Sequence, residues 1–258
     1  MVLTTTRSTQ PQASTDMGLN STDSNEPLAV MAKTGLATTI SADDGKTLLT
    51  YFQDPDGRII ENSYLDGAWK VNAGNVNNSV VTDQATPGSP LAAVSYPLNG
   101  QNYRQLFFFN DVGNVMTTNT SATGTWSAPV AITTDVVSPS AVGLAACWEK
   151  EGMNGIRVYY GSNEGYIQEV GWQFNETVWT AWYSFDDSDQ NSGVACAIYN
   201  YQDNNYINVY YRNTTSNSVK QYYWSYKSND GWYDDGPQAW KNQTIAQGSD
   251  IAVCSDDT

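Results

Sequence analysis

The 258 residues suffice for one sizeable domain, and 40% hydrophobic with 12% aromatic residues can fill a core, which excludes a disordered chain. Lys and Arg number 12 against 27 Asp and Glu, a net charge of -15, which argues against nucleic acid or an anionic membrane as partner, since little is present to neutralise phosphates. The chain contains no histidine, which removes Ser-His-Asp and Cys-His catalysis and every His-based metal site.

Residues 1–26 are mostly Ser, Thr, Asn, Asp and Gln with hardly an apolar pair, and read as a flexible polar tail. The opening MVLTTTRSTQ lacks the apolar segment of a conventional secretory signal, and no run of eighteen apolar residues occurs. The expectation is a protein without membrane insertion, cytoplasmic or released without a conventional signal peptide.

Beyond the tail the chain repeats itself. Four segments, TLLTYFQDPDGRIIENSY about Gly57, RQLFFFNDVGNVMTTNT about Gly113, GIRVYYGSNEGYIQEVGW about Gly165 and NVYYRNTTSNSVKQYYW about Asn217, each set two β-prone runs around a polar turn. The turn residues are 56, 52 and 52 positions apart. Ahead of each hairpin stands a run of small apolar residues, at 36–40, 91–94, 144–147 and 194–197. Behind each comes a Trp beside a small or turn residue: Trp69, Trp126, more loosely Trp179, and Trp232. A small-residue strand, a hairpin and a Trp-led outer strand make the rhythm of a propeller blade. Small residues suit inner strands that converge on a central axis.

The predicted fold is therefore all-β, a β-propeller of four-stranded antiparallel blades in one domain over 27–258, with blades at about 35–88, 89–138, 139–192 and 193–248. Residues 27–31 resemble 128–132 and read as an outer strand donated to the last blade. A partial strand lies in 249–258, where 251–254 copies an inner strand without a hairpin after it. Three readings are open: a chain missing a downstream blade, a homo-oligomer completing the ring, or four blades that close unaided.

Little conventional chemistry is available. Cys147, Cys196 and Cys254 each fall in an inner-strand run; they are odd in number, lack metal-ligand spacing, and read as small buried thiols at equivalent positions. The Asp-x-Asp-Gly of 54–57 resembles the start of a calcium loop, but the later ligands are missing and a β-turn accounts for it better. A glycosidase-type carboxylate pair would have to be Asp186-Asp187 or Asp234-Asp235, both in turn-like polar loops. No catalytic residue, metal or cofactor is assigned.

Aromatic residues stand out instead. Trp172, Trp179, Trp182, Trp224, Trp232 and Trp240 read as loop aromatics, some of them spacers between blades. An indole face is a platform for the C–H face of a sugar ring, while charged side chains grip its hydroxyls. In the hairpin about Gly165, Arg157 and Glu169 stand inside strands between residues that read as buried. They are either a cross-strand ion pair on a solvated face or a small polar site with an aromatic wall.

The run I-R-V-Y-Y, a turn Gly, then I-x-E-x-x-W, closing on Gly-Trp, resembles the fungal fucose-specific lectins and their bacterial two-blade relatives. The likeness covers about residues 35–258 in blade rhythm and is specific in motif in the third blade. It implies a propeller, usually of about six blades, in which an Arg from the second strand, a Glu from the third and Trp from the following blade hold each sugar. Carried over by position, Arg157 and Glu169 are the polar pair, and Trp224 and Trp232 the aromatic wall. The other blades carry Leu49, Gln105 and Asn208 at the Arg position and Glu61, Thr117 and Gln221 at the Glu position. The resemblance thus implies one competent junction, between the third and fourth blades. The expected function is a carbohydrate-binding protein whose partners are fucosylated oligosaccharides or glycoproteins. The alternative is a degenerate propeller acting as a protein-interaction scaffold. A glycoside-active enzyme, which needs a second carboxylate near Glu169, ranks third.

Overall fold

The computed structural model describes residues 29–70, 80–121, 125–133, 136–149, 155–227, 231–234 and 244–253. The expected tail, together with Asp235, Trp240 and Cys254, lies outside the described residues. Those described form seventeen strands and no helix, arranged in four antiparallel sheets. The first blade is β1 (Ala37–Ile40), β2 (Leu48–Gln53), β3 (Ile59–Leu65) and an outer edge of two short pieces, β4 (Ala68–Lys70) and β5 (Val80–Thr82), both paired with β3. The second is β6 (Leu91–Leu98), β7 (Gln101–Phe109), β8 (Val115–Ser121) and β9 (Val130–Ala131). The third is β10 (Leu144–Glu149), β11 (Gly155–Gly161), β12 (Ile167–Gln173) and β13 (Thr180–Phe185). The fourth is β14 (Val194–Tyr201), β15 (Asn204–Arg212), β16 (Val219–Ser225) and β17 (Trp232–Asp234).

Local chemistry explains the hairpins. The four turn residues that align the repeat, Gly57, Gly113, Gly165 and Asn217, all have left-handed backbone, with φ of 82°, 84°, 111° and 55°. Gly adopts that region without strain and Asn tolerates it better than most residues. In the first turn the amide of Gly57 donates to the carbonyl of Asp54 at 2.9 Å, so the Asp-x-Asp-Gly run is a β-turn.

Strand alternation then builds the core. The second and third sheets are apolar on both faces, and the cores lie between blades. Leu49, Tyr51 and Ile59 of the first blade pack with Leu106 and Phe108 of the second. Phe107 and Val115 meet Ile156, Val158 and Tyr160 of the third. Tyr159, Ile167 and Phe185 meet Ile207, Val209 and Tyr211 of the fourth. Period-two alternation on a strand is what allows one segment to serve both neighbours.

The inner strands β1, β6, β10 and β14 lie side by side in succession, as their small residues require. The approach is closest at glycines that lead into them. A Cβ on Gly35 would fall 2.7 Å from the amide of Leu91, one on Gly143 2.5 Å from the amide of Val194, and one on Gly193 2.5 Å from the amide of Ile251.

Four expectations are corrected. Of residues 27–31, those described form no strand on the last blade: the amide of Met31 donates to the carbonyl of Gln53 at 2.8 Å, which places them as the lead-in to the first blade. Residues 251–253 run beside the start of β14 but form no strand. Trp172, Trp182, Trp224 and Trp232 belong to strands and are half-buried rather than loop aromatics. Finally, Cys147 and Cys196 are not equivalent. Cys147 pairs with Arg157, whereas Ala197 and not Cys196 pairs with Asn208, the matching residue of the fourth blade. That one-residue offset turns the two thiols toward one another in the third junction, where burial pushes the Cys196 thiol up.

Gly143→Ala is expected to lower stability by about 1–3 kcal/mol, because backbone rather than a flexible side chain opposes the new methyl. Urea unfolding checks this; an unchanged midpoint would contradict the close axial packing.

Candidate functional site

Arg157 lies on β11 opposite Gly171 on β12, and Tyr159 lies opposite Glu169. Alternation puts Arg157, Tyr159 and Glu169 on the face that meets the fourth blade. Arg157 Nη1 donates to Glu169 Oε1, and the Tyr159 hydroxyl donates to the same oxygen at 3.3 Å. The other carboxylate oxygen, Oε2, accepts from the indole N–H of Trp232 at 3.3 Å. Trp232 opens β17 opposite Trp224 on β16, and the two indoles meet edge to face at 6.0 Å. The guanidinium carbon of Arg157 lies 5.7 Å from the Trp224 ring centre. All four residues expected from the sequence therefore converge on one blade junction.

A fifth residue completes the cluster. Between Glu169 and Val170 the ladder with β13 slips by one, so that Glu169 pairs with Tyr183 and Val170 with Ala181. Trp182 is the extra residue, and a bulge of this kind re-aims a side chain. Its ring lies over Gly171, where a Cβ would come within 1.7 Å of it. It also covers Arg157, with the guanidinium carbon 4.4 Å from its centre, a cation–π distance. The available signal was a side-chain-free residue directly across from a strand-interior Arg.

The pair is closed as well as assembled: the Arg157 side chain is 4% exposed and that of Glu169 1%. Burial is the largest influence on the Glu169 carboxyl and raises it above the usual glutamate value, while the Arg157 charge and the bonds from Arg157, Trp232 and Tyr159 pull it back. Burial lowers the Arg157 guanidinium, Glu169 more than compensates, and the cation persists. The Trp224 indole N–H is buried and has no partner among the described residues, which leaves a donor inside the cluster.

The same two positions elsewhere have no such charge pair. Gln105 Nε2 donates to Thr117 Oγ1 at 2.9 Å in the second blade, and Gln221 Nε2 donates to Asn208 Oδ1 at 2.6 Å in the fourth. These are neutral solutions to the same burial problem. In the first blade Leu49 fills the Arg position and Glu61 remains at the other. A cavity of about 580 Å³ lies on the opposite side of the third blade, lined by Ile132, Tyr160, Trp172 and Trp179 among others, and no charged side chain borders it. Among the described residues no group of three His, Cys, Asp or Glu could hold a metal ion. Among the described residues, the hydrogen-bond partners of the Glu169 carboxylate are Arg157, Tyr159 and Trp232, with no second carboxylate.

Glu169→Ala would strand the buried Arg157 charge, and such a loss costs about 3–5 kcal/mol. The double change Arg157→Asn with Glu169→Gln, copied from the fourth blade, is expected to recover most of that stability. Denaturant midpoints of the two variants test it; equal destabilisation would show that the pair is not the source of the cost.

The comparisons agree with this architecture. The family model described as fungal fucose-specific lectin matches residues 30–255. No curated protein sequence matches the chain. Among solved structures, the six-bladed β-propeller of the Aleuria aurantia lectin superimposes with a TM-score of 0.69 at 23% identity, over 88% of this chain and 69% of that one. AofleA from Arthrobotrys oligospora gives 0.61 at 19% identity, over 80% and 57%. The BP39L lectin from Burkholderia pseudomallei gives 0.61 at 13%, over 83% and 58%. The structural likenesses carry the propeller fold, and with the family match across nearly all described blades the chain belongs to the fungal fucose-specific lectin family.

Proposed function

We propose that the protein is a non-enzymatic lectin that binds fucose or fucosylated glycans at the junction of the third and fourth blades. The observation that carries the reading is the convergence of Arg157, Glu169, Trp182, Trp224 and Trp232. Sugar recognition needs in-plane donors and a charged acceptor for hydroxyls, and an indole face for C–H groups. The family match supports fucose as the sugar, and Aleuria aurantia lectin has been solved with Fucα1-6GlcNAc and with α-methyl-L-fucoside.

On this reading a sugar hydroxyl takes the place of the Trp232 N–H at Glu169 Oε2, a bond that is long at 3.3 Å. Ring and hydroxyl oxygens accept from Arg157 as Trp182 yields its position over the guanidinium. The Trp224 N–H supplies a further donor. No proton transfer or metal takes part, so binding is expected to be insensitive to chelators.

A second reading has one observation in its favour. Side chains 4% and 1% exposed suit a structural pair in a propeller that serves as a scaffold.

Calorimetry with fucose separates the two. The parent is expected to bind at millimolar sugar or below. Arg157→Asn with Glu169→Gln should remove one site by weakening it about 1.5–3 kcal/mol, more than tenfold. No heat from the parent would sink the lectin reading. An unchanged titration in the double variant would move the site away from this junction.

A further inference from the structure

We propose that the first and second blades form another sugar site, in which the arginine comes from the following blade. The inference rests on the lectin reading and extends it to a junction that the repeat alignment excludes.

The alignment places Leu49 at the Arg position of the first blade, which leaves Glu61 without its in-blade cation. In the structure Glu61 has a cation nevertheless. Arg104 on β7 of the second blade donates through Nη1 to Glu61 Oε1 at 2.5 Å. The Tyr51 hydroxyl donates to Glu61 Oε2 at 2.8 Å, as Tyr159 does to Glu169. Trp126, ahead of β9, meets Tyr51 edge to face at 6.1 Å and 88°. Trp232 meets Tyr159 in the same way at 6.4 Å and 82°. The guanidinium carbon of Arg104 lies 5.7 Å from the Trp126 ring centre, as that of Arg157 does from Trp224.

The two junctions are therefore related by a transposition. Arg104 immediately precedes Gln105, and Ile207 immediately precedes Asn208, so Arg104 and Ile207 hold matching positions on their blades. Between the third and fourth blades the earlier blade gives the cation, Arg157, and the later gives the aliphatic residue, Ile207. Between the first and second, the earlier gives the aliphatic Leu49 and the later gives the cation Arg104. Carboxylate, phenol, indole, cation and aliphatic residue are all present in both.

Accessibility favours the first junction. The Arg104 and Glu61 side chains are 16% and 17% exposed, against 4% and 1% for Arg157 and Glu169. Arg104 Nε is buried and has no partner among the described residues, so the guanidinium keeps a donor to offer. Burial still raises the Glu61 carboxyl, and Arg104 and Tyr51 draw it back. Thr120 stands where the fourth blade has Trp224, leaving Trp126 as the aromatic wall. The ligand class is a monosaccharide with adjacent hydroxyls and one apolar face, the class for which fucose is the probe.

Binding stoichiometry with α-methyl-L-fucoside tests this, with urea midpoints to verify that each variant folds. The parent should bind two equivalents per chain. Glu61→Gln with Arg104→Gln should bind one, as should Arg157→Asn with Glu169→Gln, and the four changes together should bind none. Leu49→Arg with Arg104→Ile, which returns the guanidinium to the earlier blade, should keep two. If the parent binds one equivalent and Glu61→Gln with Arg104→Gln binds as it does, the inference is overturned and the lectin reading survives. If a single equivalent vanishes only with the Glu61 and Arg104 changes, the inference stands and the junction of the third and fourth blades is not a site. A folded parent that binds no sugar overturns both.

Discussion

The second and third blades present apolar side chains on both faces and can bury neither alone, so each face must be matched by a neighbouring blade. The shared cores between blades are the consequence. A polar group placed on an inter-blade face is then taken out of water, at a cost unless it finds a partner there. Arg157 and Glu169 find one another, and Gln105 finds Thr117. The candidate site is in this sense a place where the core is polar and charged instead of apolar. Its rigidity comes from the blades that enclose it, and so does the cost of altering one partner by itself.

Much of the fold was legible because its determinants are local. A residue that tolerates left-handed backbone marks each turn, and Gly57, Gly113, Gly165 and Asn217 align the repeat in the sequence itself. Small residues ahead of each hairpin marked the inner strands for a steric reason, seen in the glycines that abut the neighbouring backbone. The polar pair could be read from charges set inside β-prone runs. Trp224 and Trp232 came only with the family resemblance, since nothing local places them beside Glu169.

What escaped the sequence depends on register and on contacts between repeats. Trp182 reaches Arg157 because of a single bulge in the β12–β13 ladder, and its one trace in the sequence is Gly171 across from Arg157. The strand tryptophans look like loop aromatics because their sequence neighbours are polar, while their junction partners lie about fifty residues away. Arg104 is hidden for the same reason: within its own blade it matches no cation position, and it meets Glu61 only across the junction. Cys147 and Cys196 look equivalent in sequence, yet a one-residue offset in register separates them.

The two junctions also divide the demands on a sugar site differently. At the third junction the carboxylate is fully engaged by Arg157, Tyr159 and Trp232, and Trp182 covers the cation. A sugar there must replace existing bonds with its own, and only the difference appears as affinity. The compensation is preorganisation, because donors and acceptor are already held in place. At the first junction the pair is more open and has one indole beside it, so less is displaced and less apolar surface is covered. Neither arrangement favours tight binding of a single monosaccharide. If both junctions bind as proposed, the chain would gain instead from engaging more than one fucosylated branch of the same glycan surface, where the second contact is made at the high effective concentration set by the first. Under that proposal, transposing an arginine between blades would preserve the gain, since avidity depends on how many junctions hold a sugar and not on which strand supplies the charge.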